Sequence, residues 1–129
     1  MINSKFILDI LDLILDEEKT KILRKQIDFL NVSKIEHTGI GMFINFENNF
    51  HETKLQNFSD QVLNGVEILN EKQNVLAAVI LYVKNGKIEK LEIFNKNGFD
   101  FPQEYLDEYL ITQTWIGSKG RIISNQAII

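Results

Sequence analysis

The chain has 129 residues, 44% hydrophobic and 25% charged, with 18 acidic against 14 basic side chains for a formal net charge of −4. That length suits one domain, the apolar fraction is enough for a packed core, and the acidic balance disfavours a phosphate backbone as partner. Cysteine is absent, which excludes a disulfide framework, a thiolate nucleophile and every Cys-ligated zinc or iron–sulfur site.

The opening stretch MINSKFILDILDLILDEEKTK sets Asp9, Asp12 and Asp16 among its apolar residues, so it reads as neither a signal-peptide core nor a membrane span. Phe6, Ile7, Ile10, Leu11 and Ile14 recur at intervals of three and four, the spacing of one helix face, with the aspartates opposite and Asn3 or Ser4 as N-cap. A second helix is predicted to start between Asp16 and Lys19, burying Ile22, Leu23, Ile27 and Leu30 and presenting Lys21, Arg24 and Lys25 to solvent. With almost no loop between them, a tight helical hairpin and one long bent helix both fit.

From about residue 37 the period changes to two. Ile40, Met42, Ile44 and Phe46 alternate with Gly39, Gly41, Phe43 and Asn45, predicting a strand whose glycines mark a bulge or a closely packed neighbour. A polar loop follows, then a strand marked by Val66, Ile68 and Leu69, then a polar turn from Asn70 to Gln73. Residues 75–83 are apolar at every position, which predicts a central strand covered on both sides. Asn85-Gly86 supplies the two positive-φ positions of a type I′ hairpin, Ile88 to Phe94 returns antiparallel, and Asn97-Gly98 ends the pair. Pro102 opens a predicted short helix through Tyr105, Leu106, Tyr109 and Leu110. The tail, with Ile122, Ile123, Ile128 and Ile129, predicts a further edge strand. Together these elements predict a single α+β domain over residues 1–129, an N-terminal helical pair packed on an antiparallel sheet of four to five strands in meander order.

The chemistry-bearing residues are few. A histidine metal site would need both His37 and His51 with a carboxylate such as Glu36, Glu47 or Glu52, yet no HExxH or HxH spacing occurs, and His51-Glu52 reads as an exposed pair. No serine sits in a GxSxG elbow, and Gly39-x-Gly41 and Gly117-x-x-Gly120 lack the strand-to-helix setting and lysine of a phosphate loop. Glu92, placed on the face of Ile88 and Phe94, is expected to pair across strands with a lysine such as Lys84. No catalytic residue, metal or cofactor is expected.

Acids without neighbouring bases occur twice, from Asp9 to Glu18 and at Asp100, Glu104, Asp107 and Glu108. The second run is interleaved with Phe99, Phe101, Tyr105 and Tyr109, so anchor side chains and a negative field coincide, as a docking surface for a basic protein requires. Asp100, Glu104, Tyr105, Asp107 and Glu108 are therefore the expected partner-binding residues. The alternative assigns Tyr105 and Tyr109 to the core, where Trp115 is also expected.

The stretch GVEILNEKQNVLAAVILYVKNGKIEKLEIFNKNGFDFP carries a long apolar strand (Val75 to Val83), Asn85-Gly86, the LEIF strand Leu91 to Phe94, a second Asn97-Gly98 and then Pro102. In that order of elements, over about 40 of 129 residues, it resembles a group of small bacterial proteins. Many of these resemble immunity proteins of toxin systems, including contact-dependent growth inhibition. The resemblance implies a non-enzymatic, cytoplasmic protein that binds and neutralises a cognate toxin domain, with no cofactor, nucleic acid or membrane among its partners. The alternative is a small enzyme or ligand-binding domain using His51 and Glu52, or a pocket between sheet and helices.

Overall fold

A computed structural model of the chain describes residues 1–51 and 59–126. Helix α1 (Lys5–Ile14) is followed by a 3-10 helix over Lys21–Phe29 and then by β1 (Leu30–His37), β2 (Gly41–Asn48) and β3 (Gln61–Asn70). A single 3-10 turn (Glu71–Gln73) leads to β4 (Val75–Lys84), β5 (Lys87–Asn95), β6 (Tyr109–Gln113) and β7 (Ile122–Asn125). All seven strands join one antiparallel sheet in the order β1-β2-β5-β4-β3-β6-β7. The α+β class is as expected, whereas the sheet is larger than four to five strands and is not a meander. Strands β2 to β5 stand in Greek-key order, because β3, β4 and β5 are consecutive neighbours and β2 lies beside β5.

Helix α1 forms where the periodicity places it. Ser4 Oγ accepts a 3.2 Å hydrogen bond from the Ile7 amide, and Phe6, Ile7, Ile10, Leu11 and Ile14 are all buried. No glycine closes its far end. Arg24 instead donates to the carbonyls of Asp12 (3.0 Å) and Leu15 (2.9 Å), supplying partners to acceptors that a helix terminus leaves over. Arg24 is thus half-buried rather than part of a solvated face. The second helix is 3-10 rather than α, and its buried set repeats every three residues, with Thr20, Leu23 and Gln26 fully enclosed. Ile22, assigned to the core at α spacing, is 41% exposed.

Strand β1 carries no clean alternation, because Asn31, Ser33, Lys34 and Glu36 dilute the apolar signal and a register shift between Val32 and Lys34 breaks the period. It is an edge strand, and such breaks discourage unwanted pairing. Gly41 lies so close to β5 that an added Cβ would sit 1.9 Å from the Ile93 carbonyl oxygen. The type I′ hairpin forms as expected, with φ of 53° at Asn85 and 75° at Gly86. Its turn is held by fully buried Gln26, whose Nε2 donates to the Gly86 carbonyl (2.6 Å) and whose Oε1 accepts from the Ile88 amide (2.9 Å).

Helix α1 covers β3 and β6, and the 3-10 helix covers β5. Beneath them lie Val75, Ala77, Val79, Leu81 and Val83 of β4, with Ile44, Leu91 and Ile93 from the neighbouring strands. Among the described residues the opposite face of β4 has no such cover: Leu76, Ala78, Ile80 and Tyr82 are half-exposed, against the expectation of a strand buried on both sides. A register shift between Tyr82 and Val83 turns Ile88 to the helix side, so Glu92 shares its face with Phe94 and not with Ile88. Its partner there is the Tyr82 hydroxyl at 2.7 Å, not a lysine.

No helix forms at Pro102. Residues 102–108 are irregular, and Tyr109, Ile111 and Gln113 point inward from β6 at period two. Strand β7 supplies the expected edge strand; Ile128 and Ile129 lie outside the described residues. No helix among the described residues is long and apolar enough to cross a membrane.

Candidate functional site

The topology explains why the second acidic run stands where it does. Strand β5 ends and β6 begins at the same rim of the sheet, with β4 and β3 between them, so residues 96–108 must bridge about 14 Å across that rim. A crossing backbone has no ladder partner, and side-chain amides supply its hydrogen bonds instead. Buried Asn95 accepts from the Leu76 amide at 3.0 Å and donates to the carbonyls of Asn74 (3.2 Å), Phe99 (3.0 Å) and Asp100 (3.3 Å). Further along, Asn70 donates to the Glu108 carbonyl (2.9 Å) and Asn125 to that of Asp107 (2.6 Å).

Most of the large apolar side chains of the segment turn inward. Phe101 and Leu106 are buried, and Tyr109 is enclosed with its ring centroid 5.1 Å from that of Phe6. Tyr109 also donates a 2.7 Å hydrogen bond to Asp9 Oδ2, and burial with that contact drives its hydroxyl pKa up. Tyr105 is half-buried, 6.2 Å from the Phe6 ring, and burial raises its pKa as well. Of the tyrosines, then, Tyr109 belongs to the core and Tyr105 to its margin, while Phe99 is 54% exposed. Trp115 packs against the core across Gly65, where an added Cβ would meet its Cβ at 2.7 Å.

With Phe101, Leu106 and Tyr109 inside, the carboxylates are left outside. Asp100, Glu104 and Asp107 are exposed and Glu108 is half-exposed, and among the described residues none of the four forms an ion pair. Clefts flank the loop. A cleft of about 450 Å³ separates it from the β3–β4 turn and is lined by Asn70, Lys72, Glu104, Tyr105, Asp107 and Glu108. A smaller one, about 210 Å³, lies toward the β1 edge between Ile35, His37 and Met42 on one side and Gln103, Glu104 and Tyr105 on the other. Local sequence reading assigned Asn70 and Lys72 only to a turn; their place beside the acidic loop depends on strand order.

The three aspartates of the first acidic run have the opposite fate, whereas Glu17 and Glu18 form no ion pair among the described residues. Asp9 pairs with Lys5 and the Tyr109 hydroxyl, and Asp12 with Arg24 and Arg121. Buried Asp16 accepts from Gln113 Nε2 at 2.9 Å and lies 3.3 Å from Arg121 and 3.4 Å from Lys119. The Gln113 hydrogen bond chiefly, with Arg121 and Lys119, outweighs burial and pushes the Asp16 pKa down to about 2. At Asp12 burial opposes ionisation, yet hydrogen bonds from Arg121 and Arg24 prevail and the pKa is lowered.

The histidines do not converge. His37 ends β1 beside the β2 start, whereas His51 follows the far end of β2, more than ~20 Å away along the hairpin. Glu52 lies outside the described residues, and no group of three metal-binding side chains occurs among those described. Comparison with protein-family models, curated proteins and solved structures gives no match.

Proposed function

We propose that the chain is a non-enzymatic immunity protein that binds a cognate bacterial toxin domain through the rim loop. In this reading Asp100, Glu104, Asp107 and Glu108 face a basic surface and Tyr105 anchors the contact. The observation that carries it is the contrast between the two acidic runs: Asp9, Asp12 and Asp16 are neutralised within the fold, whereas the four rim carboxylates have no ion-pair partner among the described residues. A negative field speeds encounter with a basic partner, and an aromatic side chain desolvated on contact slows release. The amide-held backbone also reduces the entropy lost when the loop is engaged. The hairpin resemblance points the same way.

The test is binding of the toxin domain encoded beside this chain's reading frame, followed by surface plasmon resonance over a range of salt. Asp107→Lys with Glu108→Lys is expected to slow association about tenfold and flatten its salt dependence. Tyr105→Ala is expected to act chiefly on dissociation. Neighbouring frames without a toxin domain, or association indifferent to the charge reversals, would overturn the reading.

A further inference from the structure

The sheet has two faces, and the helices cover one. Across the other run four rows of side chains, which cross β4 at Leu76, Ala78, Ile80 and Tyr82. The Ala78 row continues through Phe94 on one side and through Glu67 and Thr112 to Ile122 on the other. The Ile80 row holds Phe43, and the Tyr82 row holds Val62. An antiparallel sheet face that meets water ordinarily carries polar residues, yet β4 places no charge here between Leu76 and Tyr82. Val62 and Ile122 are 58% and 59% exposed.

We propose that this uncovered face is the interface of a homodimer, with a second copy of the chain lying upon it face to face. Charge selects that occupant. The four rows carry Lys34, Lys90 and Lys96 against Glu36, Glu67 and Glu92, a net charge of zero on a chain of net −4. Two copies therefore repel each other over the rest of their surface and not here, while a basic partner would find no attracting field. Four of the six charges are also partnered in place. Lys96 pairs with Glu67 at 2.6 Å, Glu92 accepts from Tyr82, and Lys90 Nζ lies 5.2 Å from the Phe43 ring centre and 5.0 Å from that of Tyr82. Compensated charges lose less on leaving water than isolated ones.

The area fits as well. Seven strands span about 29 Å across the sheet and four rows about 20–25 Å along it, roughly 600–700 Å² per copy. That meets the lower range of stable interfaces, about 600 Å² per partner. A two-fold dimer needs only one patch complementary to itself, and a face with an apolar centre and balanced charges is compatible with that condition.

Sedimentation velocity on the full chain from about 1 to about 100 μM tests the proposal. The expected result is a species of twice the 15.0 kDa chain mass at the upper concentrations. Ile80→Lys, at the centre of the face, should shift dissociation to at least tenfold higher concentration. Val62→Glu with Ile122→Glu is the second variant, since both positions are exposed in the single chain and the fold, read by circular dichroism, should persist. Asp107→Lys, outside the face, should leave the dimer intact. A wild-type chain that stays monomeric throughout overturns the proposal, as does a dimer that survives the Val62/Ile122 variant.

Discussion

Gln113 Nε2 donates to both the Leu13 carbonyl (3.0 Å) and Asp16 Oδ2 (2.9 Å), so one buried amide ties the end of α1 to β6. Its Oε1 accepts from the Arg121 amide at 3.0 Å and brings the approach to β7 into the same network. Helix, central sheet and last strand thus meet at a carboxylate with a depressed pKa.

Stability should therefore fall in acid through Asp16. Its pKa is about 2 when folded and 3.8 in the reference state, so the unfolded chain binds more protons between those values. The contribution is complete above about pH 4 and is lost as the pH falls toward 2. Urea unfolding across that range should show a loss of about 1–2 kcal/mol, allowing for the exposure of the basic partners, and Asp16→Asn should flatten it.

Leu91→Ala should cost about 2–5 kcal/mol, because Leu91 is fully enclosed opposite Leu81 and Ile44. Chemical denaturation measures it, and a loss below about half a kcal/mol would contradict the packing described here.

Gly41→Ala tests the approach of β2 to β5. The new methyl would overlap the Ile93 carbonyl, a backbone atom that cannot move without opening the ladder. A loss of about 2 kcal/mol or more is expected, with faster hydrogen exchange at the β2–β5 amides.

Charge reversal should separate the two acidic runs by stability before any partner is added. Asp107→Lys with Glu108→Lys should change the unfolding free energy by less than about 1 kcal/mol. Asp16→Lys should cost about 3–5 kcal/mol, since it places a cation beside Arg121 and Lys119. Reversal at Asp16 consequently reports on folding and cannot serve as a binding control.

His37→Ala combined with His51→Ala should leave toxin binding within about twofold of the wild type. Titration calorimetry provides the readout, and loss of a measurable turnover in the double variant would favour the enzyme alternative.

Much of the architecture was legible in local pattern. The intervals among Phe6, Ile7, Ile10, Leu11 and Ile14 define the buried face of α1, and Asn85-Gly86 defines the central hairpin, because both depend only on neighbours along the chain. The rim site was legible in composition alone: its acids and aromatics lie together in the sequence, but which turn outward depends on Phe6 and Asp9, about a hundred residues distant.

Tertiary structure decided the rest. Tyr109 and Leu110 satisfy a helical spacing as well as a strand alternation, and only pairing with β3 and β7 selects the strand. Nothing local in the sequence marks Gln26 and Gln113 as buried; the hairpin turn and Asp16 supply the partners that allow it. The apolar run in β4 was read as two buried faces, yet helices reach only one of them. Periodicity records which residues share a face, whereas what covers that face is set by elements that arrive from elsewhere in the chain or from another molecule.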